Sequence, residues 1–387
     1  DACGIASLTA SKTSFNCTNV GPNTVTLTVV DNNGNTSTCN STVTVQDNVA
    51  PVALCKNITI QLNSSGSATI VAADIDNGSN DACGVASLSA SKTSFNCSNV
   101  GANTVTLTVT DNNGNTSTCN STVTVQDNVA PVALCKNITV NLSSAGTASI
   151  TASQVNNGSS DACGFTLSVA PNSFDCTNVG ANTVTLTVTD NNGNSSTCTS
   201  TVTIVDNIAP SISALSNVSV NADAGVCTAL VAVTDAVFSD NCSGSTIAYA
   251  ISGTTTLSGS GQVGTQTFNN GVSTIVYTAT DASGNTTTAS MTVTVIDNQA
   301  PTITSPSSVT VGTDLNVCSA SVAIANLVFN DNCGATVSYV ISGATTQAST
   351  SGQIGTKTFN KGVSTITYTV TDARGNSATS SMTVTVN

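Results

Sequence analysis

The chain repeats itself almost without change at a spacing of 80 residues. Residues 1–59 and 81–139 differ at only five positions. Such self-similarity predicts an array of supersecondary units. A catalytic site in one copy would have been copied with it, so the repetition favours mechanical or multivalent work. The register is marked by Cys3, Cys17, Cys39 and Cys55, which reappear as Cys83, Cys97, Cys119 and Cys135.

Proline-containing junctions divide the chain. An Asp-Asn-x-Ala-Pro segment begins at each of Asp47, Asp127, Asp206 and Asp297. Proline fixes its own φ and keeps the preceding residue extended, which predicts short, stiff linkers. We number the predicted units as modules: module 1 (1–49, partial), module 2 (50–129) and module 3 (130–208) of a first type, then modules 4 (209–299) and 5 (300–387) of a longer second type.

Short alternating runs predict strands throughout. Thr104–Thr110 reads T-V-T-L-T-V-T, with its apolar residues on one face, and the Asp111–Asn115 segment is a tight turn. Strands every 8–12 residues with polar turns indicate a β-sandwich. The fold class is therefore all-β, with tandem immunoglobulin-like sandwiches in an extended rod. The other strands predicted in module 2 are Val52–Leu62, Ala68–Ala73, Val85–Ser91, Ser94–Cys97 and Thr116–Val125, with one helical turn near 73–77.

Modules 4 and 5 contain an inserted stretch rich in Gly, Ser and Thr, at Ile251–Gly264 and Ile341–Gly355. We expect each insertion to add a hairpin. All four tyrosines lie in these two modules. Tyr277 and Tyr368 fall on an alternating strand, which favours core packing over a binding platform.

Composition excludes several classes of function. Seven Lys and Arg oppose twenty Asp, which gives a net charge of −13. That balance argues against nucleic-acid binding and against attraction to anionic membranes. No apolar run is long enough to span a bilayer, so we expect the chain not to be embedded in a membrane. The chain opens at Asp1-Ala2-Cys3-Gly4, in the middle of a repeat, so we also expect it to be a fragment of a longer protein.

Catalysis has few candidate residues. The chain has no His to serve as a base. Paired carboxylates at Asp74, Asp76 and Asp81 could in principle hydrolyse glycosides. Module 3 has Gln154 and Asn156 in place of the first two, so the copies disagree. We predict that the protein is not an enzyme.

The cysteines predict disulfides, and hence an oxidising compartment outside the cytosol. Cys119 could pair with Cys55 in its own module or with Cys135 across the junction. The second module type favours the first scheme, because both positions are lost there together. Under that scheme Cys55–Cys119 and Cys135–Cys198 form, and Cys39 stays unpaired with its partner outside the chain. The replacing residues are Ala214 and Ala289 in module 4, and Ser305 and Ser380 in module 5.

The remaining cysteines are predicted to pair locally, over loops of about 15 residues. By chain entropy, each such bridge contributes about 3 kcal/mol. The predicted local pairs are Cys3–Cys17, Cys83–Cys97, Cys163–Cys176, Cys227–Cys242 and Cys318–Cys333.

Recurring aspartates offer a possible calcium site. Carboxylate and amide oxygens suit a hard cation. The alternative is structural, because Asp opens Asx-turns and Gly supplies positive φ in hairpins. That alternative is favoured for the turn positions and is about even for the junctions. Candidate calcium ligands are the junction residues Asp47, Asp127, Asp206 and Asp297 and the turn residues Asp111 and Asp190; a third recurring set, in a loop, is Asp1, Asp81, Asp161, Asp240 and Asp331.

The ordered motifs resemble the hyalin-repeat (HYR) family. They are Asp-x-x-Ala-Pro, then Asp-Ala-Cys-Gly or Asp-Asn-Cys, then Val-Gly-x-Asn-Thr-Val, then Thr-Asp-x-x-Gly-Asn and a closing Thr-Val-Thr-Val. The resemblance implies immunoglobulin-like modules of extracellular adhesion proteins. The near-identical, Thr- and Asn-rich repeats also look like the very large SprB-like surface adhesins of gliding Bacteroidota, which implies export by the type IX system.

Two functions follow as expectations. The first is a structural stalk segment of a cell-surface adhesin that serves gliding motility or surface attachment. Its partners would be a cell surface or external substratum, reached through other parts of the full protein, and a surface motility machinery. The alternative is a multivalent array that binds glycans or surfaces by avidity.

Overall fold

A computed structural model describes residues 1–387, and it is almost entirely β. It confirms the predicted tandem β-sandwiches. Modules 2 and 3 each contain a four-stranded sheet and a two-stranded sheet. Modules 4 and 5 each contain a five-stranded sheet and two two-stranded sheets. Threonine and valine alternate along the long strands, so one face is apolar and turns inward while the other remains hydrated.

Module 1 is a three-stranded antiparallel sheet in the order β1-β2-β3. A single turn of 3₁₀-helix, Cys17–Asn19, precedes the second strand. The strands are β1 (Ile5–Ala10), β2 (Gly21–Asp31) and β3 (Thr36–Val45).

Module 2 shows the complete plan of the first type. Its main sheet has the order β4-β9-β8-β6, and β5 pairs with β7 in the second sheet. Strands β4 and β9 run parallel, whereas the other pairs are antiparallel. Its elements are β4 (Ile58–Gln61), β5 (Ser67–Thr69), α1 (Ala72–Ile75), β6 (Val85–Ala90), β7 (Ser94–Asn96), β8 (Gly101–Asp111) and β9 (Thr116–Gln126).

The core of module 2 follows the predicted alternation. Val105, Leu107 and Val109 of β8 are completely buried, and they pack in one cluster with Ile75 and Phe95. The predicted first strand, Val52–Leu62, is shorter in the structure. Only its second half joins the sheet, because the first half makes isolated bridges to a loop instead.

Module 3 repeats the main sheet in the order β10-β15-β14-β12. Its buried residues include Val184, Leu186 and Val188, which match the buried residues of β8. The elements are β10 (Ile138–Asn141), β11 (Thr147–Ser149), α2 (Ala152–Val155), β12 (Phe165–Ala170), β13 (Ser173–Asp175), β14 (Gly180–Asp190) and β15 (Ser195–Val205).

Module 4 has a five-stranded main sheet in the order β17-β24-β23-β20-β21. The fifth strand comes from the inserted stretch, which forms the expected hairpin. The strands are β16 (Ser211–Ile212), β17 (Val218–Asn221), β18 (Thr228–Ala232), β19 (Phe238–Ser239), β20 (Thr246–Gly253), β21 (Leu257–Ser260), β22 (Thr265–Asn269), β23 (Gly271–Thr280) and β24 (Thr286–Ile296).

Module 5 has the same plan, with the sheet order β26-β33-β32-β29-β30. Tyr277 in module 4 and Tyr368 here are 0% exposed, at the centre of each core, as the alternation predicted. The strands are β25 (Thr302–Thr304), β26 (Val309–Val311), β27 (Ser319–Ala323), β28 (Val328–Asn330), β29 (Ala335–Gly343), β30 (Gln347–Ser351), β31 (Thr356–Asn360), β32 (Gly362–Asp372) and β33 (Ser377–Val386).

The chain divides into two compact units. The first holds Asp1–Val140, Ser149–Phe174 and Gly180–Thr203. The second holds Asn141–Ala148, Asp175–Val179 and Ile204–Asn387. The two short segments of module 3 in the second unit include Gly146 and Cys176, which contact the loop at Asn241 and Cys242 of module 4.

Candidate functional site: the junctions between modules

Two disulfides lie within modules of the first type. They join Cys55 to Cys119 and Cys135 to Cys198, with Cα–Cα distances of 5.9 and 6.0 Å. Each ties the segment that precedes the first strand of the main sheet to the last strand. We call this pair of disulfides the clamps. They are the pairs that the loss of both positions in modules 4 and 5 predicted.

The other four disulfides join neighbouring modules, which corrects all five predicted local pairs. Cys3–Cys17, Cys83–Cys97, Cys163–Cys176, Cys227–Cys242 and Cys318–Cys333 do not form in the structure. The observed pairs are Cys17–Cys83, Cys97–Cys163, Cys176–Cys242 and Cys227–Cys333.

Strand length explains the correction. In module 2, Asn112 at the end of β8 donates to the carbonyl of Cys83 at 2.8 Å, whereas Cys97 lies just before the start of β8. Eleven residues of strand separate these ends by about 30 Å or more. A disulfide needs Cα atoms within about 7 Å. Cys83 and Cys97 are therefore too far apart to bond to each other, and each bonds to a cysteine of a neighbouring module.

The same geometry holds in module 4. The carbonyl of Cys227 accepts from Asn270, beside the start of β23. Cys242 precedes β20, whose first residue Thr246 pairs with Thr280 at the far end of β23. Three cysteines are free and exposed, namely Cys3, Cys39 and Cys318.

Close backbone approach accompanies two of these disulfides. Gly66 has φ +71°, and a Cβ there would lie 2.7 Å from the sulfur of Cys97 and 3.0 Å from the Cβ of Ala162. At Gly146, φ is +70° and a Cβ would lie 2.6 Å from the carbonyl oxygen of Asn241. Glycine is therefore needed twice over, for its backbone conformation and for its small volume.

We expect Gly146→Ala to weaken the Cys176–Cys242 junction because the new methyl group overlaps the backbone of Asn241. The overlap should cost about 1–3 kcal/mol beyond the backbone strain. The measurement is the fraction of that disulfide reduced in a glutathione series, followed by peptide mapping, and the junction should become about tenfold easier to reduce. Gly225→Ala is the matched control, since Gly225 has φ +76° with nothing within 4 Å. Equal behaviour of the two variants would contradict the steric explanation.

The turn between β8 and β9 is hydrogen-bonded to the linker that precedes module 2. One oxygen of Asp111 accepts from the backbone N–H groups of Asn113 and Asn115, both at 2.8 Å. The Asn115 side chain donates to the other oxygen at 2.7 Å and to the carbonyl of Asp47 at 3.0 Å. Corresponding bonds to the linker carbonyl come from Asn194 to Asp127, Asn285 to Asp206 and Asn376 to Asp297.

This arrangement gives the turn aspartates a structural role. Both oxygens of Asp111, and both of Asp190, accept hydrogen bonds within their own turns. Of the predicted calcium ligands, the turn residues thus organise the hairpin and fix the linker. The junction residues lie instead beside the loop aspartates described below.

Hydrogen bonding also shifts the titration of these carboxyls. Burial alone would raise the pKa of Asp281, but bonds from Asn285 and Ser283 stabilise its charged form, and its pKa lies below the ordinary value. The pKa values of Asp111, Asp190 and Asp372 are lowered by the same combination. For Asp31, bonds from Asn35 are the leading cause of a lowered pKa.

Because the pKa of Asp281 is lower in the folded state than in the unfolded state, the stability of the fold depends on pH. The contribution of Asp281 is complete above the unfolded pKa of about 3.9 and is lost as the pH falls through the lower folded pKa. We expect Asp281→Asn, which keeps an acceptor oxygen in the turn, to flatten the acid side of the stability curve below about pH 4. Thermal unfolding followed by tyrosine fluorescence measures it, because all four tyrosines lie in modules 4 and 5. Parallel curves for the two proteins would argue against a role for this charge.

Linker and loop aspartates converge at every junction. One carboxylate oxygen of Asp47 lies within 4.8 Å of an oxygen of Asp81, and the sulfur of Cys83 completes the group. That sulfur is held in a disulfide and is not a thiolate ligand. The sequence analysis noted that the loop aspartates recur in every module but did not include them among the candidate calcium ligands. The other groups are Asp127, Asp161 and Cys163; Asp206, Asp240 and Cys242; and Asp297, Asp331 and Asp372.

The carboxylates proposed for glycoside hydrolysis have local partners. Asp74 accepts from the backbone N–H of Val71 at 2.7 Å and caps α1. Asp76 accepts from the N–H of Ser79 at 3.0 Å, and Asp81 accepts from that of Cys83 at 2.7 Å. All three therefore stabilise turns of module 2.

Comparison with known families agrees with the motifs. A family model described as "HYR domain" matches residues 205–295 and 296–386. Modules 4 and 5 are therefore similar to the HYR domain. The match agrees with the resemblance that the sequence motifs indicate for this part of the chain.

A curated relative is similar to nearly the whole chain. "Hyalin" from Strongylocentrotus purpuratus is 30% identical over 386 residues, a region that includes 95% of this chain. The chain spans about 30% of the length of that relative.

Solved cadherin structures share a general likeness with the HYR modules and their neighbours. The protocadherin γB4 extracellular domain has a TM-score of 0.33 at 17% identity, with 95% of this chain and 71% of that chain covered. Drosophila N-cadherin EC1-4 has a TM-score of 0.27 at 12% identity, with 86% and 99% covered. No helix in the structure has the length and apolar character needed to cross a membrane.

The HYR match and the cysteine chemistry together place the protein outside the cell. Six disulfides are present in the structure. Such bonds persist in oxidising environments and are rare in the cytosol. The protein is an extracellular repeat protein.

Proposed function

We propose that this chain is a structural stalk segment of a large surface adhesin, built from the five modules delimited above, and that it resists stretching. The supporting observation is the pattern of disulfides between modules. Modules that only presented binding surfaces would need disulfides within each module and none between modules. Here each neighbouring pair is covalently joined a second time, in addition to the linker.

The four junction disulfides form a second covalent path, which we call the covalent thread. From Cys17 it crosses to Cys83, follows the backbone to Cys97 and crosses to Cys163. It then follows the backbone to Cys176, crosses to Cys242, returns along the backbone to Cys227 and crosses to Cys333. The thread uses backbone from modules 2, 3 and 4 and never passes through a linker.

The covalent thread limits how far the chain can be stretched. Its three backbone stretches of about 14 residues, at about 3.4 Å per residue, and four bridges of about 5 Å reach about 160 Å. The backbone between Cys17 and Cys333 would reach about 1,100 Å on the same scale. In the oxidised chain, most of the backbone between Cys17 and Cys333 therefore cannot be extended by a pulling force.

The clamps act on the main chain in the same way. The Cys55–Cys119 bond closes a segment with a sequence separation of 64, and Cys135–Cys198 closes one of 63. A force that enters module 2 through its linker passes directly from Cys55 to the last strand. Strands β4 to β8 lie between these two cysteines, so they are bypassed on this main-chain route, although β6 and β7 belong to the covalent thread.

Single-molecule pulling of the full chain tests this proposal. In the oxidised chain the distance between Cys17 and Cys333 should not exceed about 160 Å, whereas reduction should release several hundred ångströms as the modules unfold. The double variant Cys97→Ser, Cys163→Ser should lengthen the stretched oxidised chain by about 160 Å, because the path from Cys83 to Cys176 then runs through the Cys135–Cys198 clamp. Identical extensions with and without reductant would refute the proposal.

The positions of the aromatic rings favour the stalk over a glycan-binding array. A glycan site generally uses an exposed aromatic face, yet Phe95, Phe268 and Phe359 are buried along with the two core tyrosines. Tyr249 also packs against the core of module 4. Binding of the full chain on a glycan array, at neutral pH and without reductant, would reverse this preference. The link to gliding motility, type IX export and a surface motility machinery remains a prediction from the sequence resemblance.

A further inference from the structure

The junction between modules 4 and 5 contains three carboxylates in close contact. Asp297 comes from the linker, Asp331 from the loop before β29 and Asp372 from the β32–β33 turn. Each offers one carboxylate oxygen, and the three oxygens lie within 4.8 Å of one another. The three other junctions each have two carboxylates and a disulfide sulfur in this position.

Both oxygens of Asp372 accept hydrogen bonds within its own turn, but each of the other two carboxylates has a buried oxygen without a hydrogen-bond partner. Asp297 is only 3% exposed. Its Oδ1 accepts from the N–H of Gln299 and from Asn332 Nδ2, both at 3.1 Å, but its Oδ2 has no partner. Asp331 Oδ2 accepts from the N–H of Cys333 at 2.9 Å, while its buried Oδ1 also lacks a partner. A buried charged oxygen without a partner is costly unless a cation or donor neutralises it.

We propose that Asp297, Asp331 and Asp372 bind a divalent cation of the calcium class. The donors are all oxygens, which suits a hard cation. Zinc is disfavoured because Cys333 is oxidised and the chain has no His. Water would complete the coordination shell, since calcium takes six to eight oxygen ligands.

The cation would connect the linker at Asp297 to a loop and a turn of module 5. Asn332, next to Asp331, donates to the carbonyl of Val226 in module 4 at 3.1 Å. The linker residue Gln299 receives a bond from the N–H of Gly225 at 2.9 Å and donates to the carbonyl of Asp223 at 3.0 Å. Holding Asp297 against Asp331 and Asp372 would therefore fix the linker and the loop that both contact module 4. The site stands independently of the stalk proposal.

Calorimetric titration and tyrosine-monitored melting of the full oxidised chain test the site. We expect CaCl₂ to bind with one strongest site per chain. The melting midpoint of modules 4 and 5 should rise by about 5–10 °C when calcium is about tenfold above the Kd, relative to EDTA. Asp331→Asn, which can still accept the bond from Cys333, should remove both effects.

Two further variants make the test specific. Asp372→Asn should also weaken binding at least tenfold, and it serves if Asp331→Asn fails to fold. Asp81→Asn is the matched control, because its junction has only two carboxylates, and it should leave the strongest site unchanged. Absence of calcium binding at millimolar concentration, or a midpoint that rises equally in wild type and in both junction variants, would overturn the proposal.

Discussion

We expect module 2 to lose about 4 kcal/mol of its free energy of unfolding when Cys55 and Cys119 are both replaced by serine. The clamp between them closes a loop with a sequence separation of 64. Without it, the unfolded chain gains the freedom of that loop, while the native contacts of β4 with β9 are retained. A loss of this size approaches the whole stability of a small domain.

Hydrogen exchange followed by mass spectrometry measures this loss in the full chain. Peptides from β8 and β9 should exchange about a thousandfold faster, since each 1.4 kcal/mol is a factor of ten. The control is the double variant Cys135→Ser, Cys198→Ser, which should change module 3 and leave module 2 as it was. Unchanged protection of β8 in the first variant would show that the clamp contributes nothing to stability.

The converse substitution should stabilise module 5. Ser305 and Ser380 occupy the clamp positions there, and their hydroxyl groups are hydrogen-bonded to each other. Ser380 pairs with Tyr368 across the sheet, in the register in which Cys119 pairs with Leu107. The double variant Ser305→Cys, Ser380→Cys should therefore form a disulfide without moving the backbone and add about 4.5 kcal/mol, since the two positions are 75 residues apart.

Tyrosine fluorescence reports this gain, because Tyr339 and Tyr368 lie in the core of module 5. The melting midpoint of the module should rise by about 20 °C or more under oxidising conditions and return to the wild-type value with reductant. Cys318→Ser in the same background prevents exchange with the free thiol, and the single variant Ser380→Cys controls for the substitution itself. Two alkylatable new thiols in the folded, oxidised protein would contradict the geometry.

The fold could be predicted from the sequence because its signals are local. The alternation over Thr104–Thr110 specifies which face is buried, and the Asp-Asn-Asn-Gly-Asn turn specifies where the hairpin reverses. The clamp pairs could also be predicted, because two positions that are lost together in modules 4 and 5 identify each other as partners.

The junctions could not be predicted because their partners are distant in sequence and meet only after folding. Cys83 and Cys97 are separated by 14 residues, a spacing that suits a local loop as well as a strand that spans the module. Nothing in the sequence shows that the strands between Cys83 and Cys97 place these two cysteines at opposite ends of β8. The bond from Asn115 to the carbonyl of Asp47 likewise joins residues 68 apart. Recurrence alone could not show which aspartates meet, so Asp331 was noted as a recurring loop residue but was not chosen as a calcium ligand.

The junction disulfides also impose an order on maturation. Cys97 cannot bond to its partner Cys163 until that residue has been translocated. Cys83, with which Cys97 could mispair, precedes it by only 14 residues and is translocated earlier. A module that emerges first must hold a reduced thiol while its neighbour is still being delivered. We infer that biogenesis of this protein requires either rapid folding of each sandwich, which separates the competing thiols, or an isomerase that corrects mispaired ones.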